Sequence, residues 1–235
     1  MTDRQDIGRG IAFAVLAFAL FSASDAIVKW LAEAGYSVVQ LSAAFALFAL
    51  LPVAWPVVRA GGLRMLRARR PLWVGVRAML LAADTVCAYF AFGTLPLAEA
   101  YAIFFGTPML VTALSVPILG EKVGWQRWSA VLVGFAGVLV VLRPGFAELG
   151  AGNAAAIGTM VFFSLSLLVL RRIGNEETSV AMITWVLFAL FIVTAPFVPS
   201  VFVLPGAFDL LLMVAGGLLA GAAHLALVEA FRAAP

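Results

Sequence analysis

The sequence predicts an all-α integral membrane protein, a polytopic helical bundle of about eight spans, and three observations carry that prediction. The 235 residues are 64% hydrophobic and only 11% charged, with a mean hydropathy of +1.10. An average soluble domain is about 25% charged, so this chain cannot clothe a water-soluble surface of its size. Its apolar residues gather into runs of about 20, the length that crosses a hydrocarbon core. Its basic residues sort onto alternate connections between those runs, as the sidedness of membrane insertion demands.

Eight segments qualify as spans: roughly 10–33, 37–58, 72–94, 97–119, 125–142, 150–170, 179–198 and 208–231. Span 1 follows Arg4 and Arg9, and its Ile11–Phe21 run with Ser24-Asp25-Ala26 resembles a signal peptide. Apolar character resumes after Asp25 and seven more spans follow, so span 1 reads as uncleaved. The later segments are continuously apolar rather than one-faced, which suits helices surrounded by other helices and lipid. Barrel strands would be shorter and alternating. Trp30, Trp55, Trp73, Trp125 and Trp128 fall near span ends, at headgroup level. The connections are short, so sequence neighbours are expected to pack antiparallel.

With a cytoplasmic N-terminus, twelve lysines and arginines lie inside. They are Arg4, Arg9, Arg59, Arg64, Arg67, Arg69, Arg70, Lys122, Arg127, Arg171, Arg172 and Arg232. Only Arg143 lies outside, and Lys29 and Arg77 fall within spans. That asymmetry sets the expected orientation in the cell (inner) membrane. It also accounts for the net charge of +3 without a nucleic-acid partner. The single cysteine, Cys87, excludes an intramolecular disulfide framework and a cysteine-rich metal cluster.

The chain carries an internal repeat. Phe21-Ser22-Ala23-Ser24 with Lys29 matches Phe163-Ser164-Leu165-Ser166 with Arg171, and Gly10 and Ala12 match Gly152 and Ala154, all at an offset of 142. Ala91-Phe92 to Pro96 matches Ala230-Phe231 to Pro235 at an offset of 139. Five spans separate the copies, an odd number, so the second copy enters the membrane from the opposite side. Such an inverted repeat is a secondary-transporter architecture with its solute site near the midplane. The expected division is 1–146 for a first five-helix repeat and 147–235 for an incomplete second one, spans 6–8. Counterparts of spans 4 and 5 are missing from the second copy, so the expectation is a ten-span (5+5) fold truncated at its C-terminus.

These motifs resemble the drug/metabolite transporter superfamily, in particular its EamA-like family of ten-span, two-repeat carriers. The resemblance rests on Phe21 to Lys29, on Leu95-Pro96-Leu97-Ala98-Glu99-Ala100, and on Pro108 followed by Gly120-Glu121-Lys122. It rests also on Gly134-Phe135-Ala136-Gly137 before Arg143-Pro144-Gly145. It implies transport of a small organic metabolite such as an amino acid, amine, nucleoside-like compound or drug. None of the motifs is a substrate signature.

Charged side chains at membrane depth each need a reason. Asp84, midway along span 3, reads as a protonation or cation-binding site or as a carboxylate paired with a neighbouring helix. His224, mid-span 8, lies at nearly the repeat-equivalent position and titrates near neutral pH. Either it lines the cavity, where the two could form a proton-coupled pair, or it is a packing residue. Asp25 and Lys29 share a face of span 1 as an ion pair or as part of the solute route. Glu229 reads as the partner of Arg232 or as a pathway residue. Arg77 is expected to snorkel, Glu99 to favour the N-terminus of span 4, and Glu121 and Lys122 to form a solvated loop.

Tyr101, Phe104, Phe105 and Trp185 offer an aromatic wall for a planar or cationic solute, or ordinary packing. Ser22, Ser24, Ser164 and Ser166 suit close helix approach. Gly217 and Gly221 form a GxxxG packing pattern, and Pro108, Pro117 and Pro196 are candidate kinks. No GxSxG, HExxH, CxxC pair or P-loop is present, so no enzyme, cofactor or metal is expected. The reading is a secondary carrier working by alternating access on a small molecule in the bilayer, with a proton coupling and a homodimer left open. The alternatives are a membrane enzyme acting on a lipid-linked substrate and an inactive truncated carrier.

Overall fold

A computed structural model describes residues 2–60, 62–142, 150–173 and 177–233. Span 1 is α1 (Thr2–Glu33), span 2 is α2 (Val38–Ala60) and span 3 is α3 (Pro71–Thr94). Span 4 is two helices, α4 (Leu97–Phe104) and α5 (Thr107–Leu119). Span 5 is α6 (Trp125–Leu142) and span 6 is α7 (Ala151–Ile173). Span 7 is α8 (Ser179–Thr194), continued by a 3-10 turn at Ala195–Phe197 and by α9 (Val198–Val201); span 8 is α10 (Ala207–Ala233). No strand occurs among the described residues. Seven of the segments are long and apolar enough to cross a membrane, and α6 carries a shorter apolar stretch, Trp128–Gly137. Large apolar side chains such as Phe18, Trp55, Leu132 and Phe188 are exposed, as lipid permits and water does not.

The chain divides into two compact units, Met1–Arg69 with Glu177–Pro235, and Arg70–Glu176. In the first, α1 runs along α10, α10 also packs on α2, and α2 packs on α8. Lipid tails are as apolar as leucine, so helices associate in a membrane through van der Waals fit and interhelical hydrogen bonds. Both are present here. Gly217 and Gly221 bring α10 against the α2 backbone: a Cβ at Gly217 would lie 2.5 Å from Phe48 Cβ and 3.1 Å from the Phe45 carbonyl oxygen. The buried Ser24 hydroxyl of α1 donates to the Gly216 carbonyl of α10 at 3.1 Å. Ala49, Val53 and Val57 of α2 form a buried core with Val180 and Leu187 of α8, and Leu66 packs against it.

Two clips close the loops of this unit. The Gln40 side-chain amide donates to the Val203 carbonyl at 2.7 Å and accepts from the Val203 N–H at 2.9 Å. Tyr36 donates its hydroxyl to Asp209 at 2.8 Å. That bond, with burial, raises the Tyr36 phenol above its ordinary value of 10.0, because a carboxylate acceptor favours the protonated phenol. At the other end of the helices, Thr178 caps α8 and donates to the Met65 carbonyl at 3.1 Å. Trp185 Nε1 donates to the Leu66 carbonyl at 3.0 Å.

In the second unit α3 runs along α7, which also packs on α4 and α5, and α6 packs on α4 and α5. Pro71 opens α3 at a first-turn position, where its missing N–H costs nothing. Gly120 ends α5 with φ +70°, the left-handed conformation a non-glycine residue resists. The next residue, Glu121, lies 3.3 Å from Arg171 at the end of α7. The loop, expected to be solvated, also holds this exposed ion pair to the end of α7. Arg172 lies over the Trp73 ring at 5.1 Å, which fastens the same end of α7 to the start of α3.

Candidate functional site

The feature that departs most from regular packing is the break in span 4. Tyr101 still receives the ordinary helical bond from the Phe105 N–H at 2.9 Å, but the Gly106 N–H bonds only three residues back, to Ile103 at 2.9 Å. Pro108 is the second residue of α5 and has no N–H to offer the Phe104 carbonyl. Glycine and proline thus interrupt the ladder from both sides. Phe105 and Gly106 keep right-handed helical dihedrals, so the ladder tightens and loses a bond while the span runs on. Here Ser164 of α7 donates to the Thr107 carbonyl at 3.4 Å, a long bond, beside its shorter one to Met160 at 2.6 Å.

Four aromatic rings surround the break. Phe104 meets Phe92 edge-on at 5.6 Å, and Tyr101 lies 5.8 Å from Phe92 and 6.0 Å from Phe104. Phe105, 79% exposed, stacks on Tyr101 at 6.5 Å with 29° between the planes. Tyr101, Phe104 and Phe105 therefore do form a cluster. Trp185 belongs to the other unit, with its indole N–H on Leu66. Phe92 was missing from the expected set because the sequence marks it only through the repeat, as the counterpart of Phe231, and says nothing of its contact with span 4.

The profile of the EamA-like transporter family matches residues 8–143 of this chain, more than half its length. The chain belongs to that family. Among curated proteins it is 24% identical to the S-adenosylmethionine uptake transporter of Rickettsia bellii (strain RML369-C) over 204 residues, which are 87% of this chain and 69% of that protein. It is 27% identical to the riboflavin transporter of Rhizobium johnstonii over 233 residues, 96% of this chain and 75% of that protein. It is 28% identical to solute carrier family 35 member G1 of Mus musculus over 185 residues, 72% of this chain and 49% of that protein. Family and relatives point to small-molecule transport across a membrane.

The remaining candidates of this EamA-like chain are distributed over both units. Asp84 is half-buried midway along α3, and its carbonyl accepts the Thr159 hydroxyl of α7 at 3.3 Å. His224 is half-buried in α10 and meets Phe21 of α1 edge-on, with ring centroids 5.0 Å apart and an interplanar angle of 82°. Lys29 makes a 2.8 Å ion pair with Glu33, one turn further along α1, a residue that the reading of Asp25 and Lys29 had left out. Asp25 and Glu229 are half-buried. The side chain of Arg232, the expected partner of Glu229, lies outside the described residues.

Glu99 does more than favour a helix end. Its carboxylate accepts from the Asn153 amide of α7 at 2.9 Å, while the Asn153 oxygen accepts from the Gly150 N–H at 3.1 Å. Asn153 is 7% exposed, so both halves of its amide are satisfied inside the bundle. The sequence signal for it was available: a lone amide opening an apolar span. Arg77, expected to snorkel, is half-buried, and its Nε has no hydrogen-bond partner among the described residues.

Proposed function

We propose that the chain is a secondary carrier that moves a small organic solute by alternating access, with the broken span 4 as part of its solute site. The observation that carries this reading is the break at Phe105–Gly106 with four aromatic rings around it. Discontinuous spans are where carriers bind their cargo, since half-helix ends present unpaired backbone groups. The rings supply broad faces for a planar or cationic solute. The names of the relatives, an S-adenosylmethionine uptake transporter and a riboflavin transporter, favour a metabolite bearing a flat heterocycle.

The helix pairing supports the inverted-repeat division into 1–146 and 147–235. In the first unit α1 pairs with α10, span 1 with span 8. The repeat maps these onto spans 6 and 3, which are α7 and α3, the dominant pair of the second unit. Both pairs are antiparallel in nearly the same register, with Phe21 against His224 in one and Trp73 against Arg172 in the other. The stretch matched by the family profile, 8–143, nearly coincides with the first repeat.

Asp84 and His224 are the titratable groups proposed to carry proton coupling, with Asp25, Lys29 and Glu229 nearer the ends of the solute route. An inner-membrane location is part of this proposal, and the arginine sidedness supports an N-terminus on the inside. Counterflow in proteoliposomes tests the reading: preloaded solute should drive uptake of labelled solute that is recovered chemically unchanged. Chemical conversion without counterflow would establish an enzyme instead. An Asp84→Asn protein with unchanged rate and pH dependence would remove the coupling role.

A further inference from the structure

Three stripes run along α3. Val74, Ala78 and Ala82 are buried at 1–2% exposure, whereas Leu72, Val76 and Met79 are 40–76% exposed. Arg77 and Asp84 lie on a third stripe. They are seven residues apart, so they share a face within about 20° and are separated by about 10 Å along the axis. Ionisable residues at membrane depth as a rule face the bundle interior or a watered cavity rather than lipid.

Arg77 is the unusual member. It lies six residues after Pro71, about 9 Å into the helix, one turn deeper than Trp73 with its Arg172 cap. Its Nε is buried and lacks a hydrogen-bond partner among the described residues. A buried N–H left without an acceptor is unfavourable even where the guanidinium tip reaches a polar surrounding. Helix packing does not explain the residue either. At the 139-residue offset its counterpart in α10 is Gly216, where a Cβ would lie 2.5 Å from the Phe45 ring and 3.2 Å from Ile27. The same register in one copy excludes any side chain and in the other holds the longest cation available.

We propose that Arg77 binds an oxyanion, a carboxylate or phosphate, carried by the transported solute. The inference rests on the carrier reading and adds the chemical class of its cargo. Nε–H and one Nη–H form the planar fork that grips two oxygens of such a group, a geometry that lysine cannot reproduce. The solute anion completes the hydrogen bonding that the protein leaves open, which favours its binding. The same chemistry could be met by a lipid phosphate at the membrane surface, so the experiment separates the two sources.

The full chain, purified in detergent, is titrated with sodium phosphate and with sodium succinate against sodium chloride at matched ionic strength. Thermal stability and tryptophan fluorescence are followed. The expected result is a saturable shift with either oxyanion and none with chloride. Arg77→Gln should lose it, and Arg77→Lys should bind roughly tenfold or more weakly, the scale of one charge-assisted hydrogen bond. No saturable shift in the wild type, or an equal shift in Arg77→Gln, overturns the proposal. In a second arm, phosphatidylcholine vesicles with and without phosphatidylglycerol replace detergent. An Arg77-dependent effect of the anionic lipid without one from the soluble anions assigns the site to a headgroup and overturns the solute. Counterflow on the same preparation keeps the two readings apart. Oxyanion binding without counterflow sinks the carrier, whereas counterflow that Arg77→Gln leaves unchanged sinks the anion site.

Discussion

Substituting Gly221 with alanine tests how tightly α10 is seated on α2. A Cβ at that position would lie 2.5 Å from Pro52 Cγ and 3.0 Å from Ala49 Cα, and would also meet the Ala49 carbonyl oxygen. Carbon atoms settle at about 3.5–4.0 Å, so the helices would have to part by about 1 Å, forfeiting a quarter to a half of the dispersion energy at the contact. The obstacles are backbone and a proline ring, which cannot swing aside as a flexible side chain would. Overpacking of this kind costs about 1–3 kcal/mol. Gly137 in α6 is the control, because a Cβ there meets nothing within 4 Å. Alanine at 137 should gain up to about 1 kcal/mol from helix propensity alone. Thermal melts of the two variants in one detergent should therefore move in opposite directions from wild type. A Gly221→Ala protein that melts at or above the wild-type temperature would refute the packing argument, whatever its transport rate.

Asn153→Leu should destabilise by about 1–3 kcal/mol, since it strands the Glu99 carboxylate and the Gly150 N–H together; Glu99→Gln, which keeps an acceptor, should cost clearly less in the same melts. Tyr36→Phe should lower the melting temperature by a constant amount up to about pH 9. The Tyr36 phenol is raised in the folded protein, so its contribution is complete below the ordinary value of 10.0 and vanishes as pH climbs through the folded value; a wild-type minus Tyr36→Phe difference that grows with alkali would contradict this. Pro108→Ala restores an N–H opposite the Phe104 carbonyl and should close the break, leaving the protein as stable or more so while counterflow slows several-fold. Unchanged counterflow in that variant would show that the break has no part in transport.

The spans and their sidedness were legible because they depend on quantities summed over 20 residues, which no single contact can overturn. The GxxxG seam was legible for a related reason: two small residues one turn apart announce a close approach whatever the partner is. The break in span 4 was only half visible. Pro108 marked a kink, but the interruption also needs Gly106 to turn its N–H back by three residues, and nothing local says that it will. Lys29 shows the limit of helical spacing. Asp25 lies four residues before it and Glu33 four after, and the reading that named Asp25 passed over the Glu33 ion pair. The Asn153–Glu99 bond and the Gln40 clip join residues 54 and 163 positions apart, and that information exists only once the helices are packed.

The Gln40 clip has a consequence for how the protein ages. Its amide behaves as a two-way plug, giving one hydrogen to the Val203 carbonyl and taking one from the Val203 N–H, with the side chain 4% exposed. Hydrolysis of that amide to a carboxylate would change the residue by less than one mass unit and leave its shape intact. It would nonetheless turn the donor into a second anionic acceptor facing a carbonyl oxygen. Long storage or heating can thus leave a chain of full length and normal helicity with the turn before α10 unlatched, and the stock would lose Tyr36–Asp209 registration before it lost a single span.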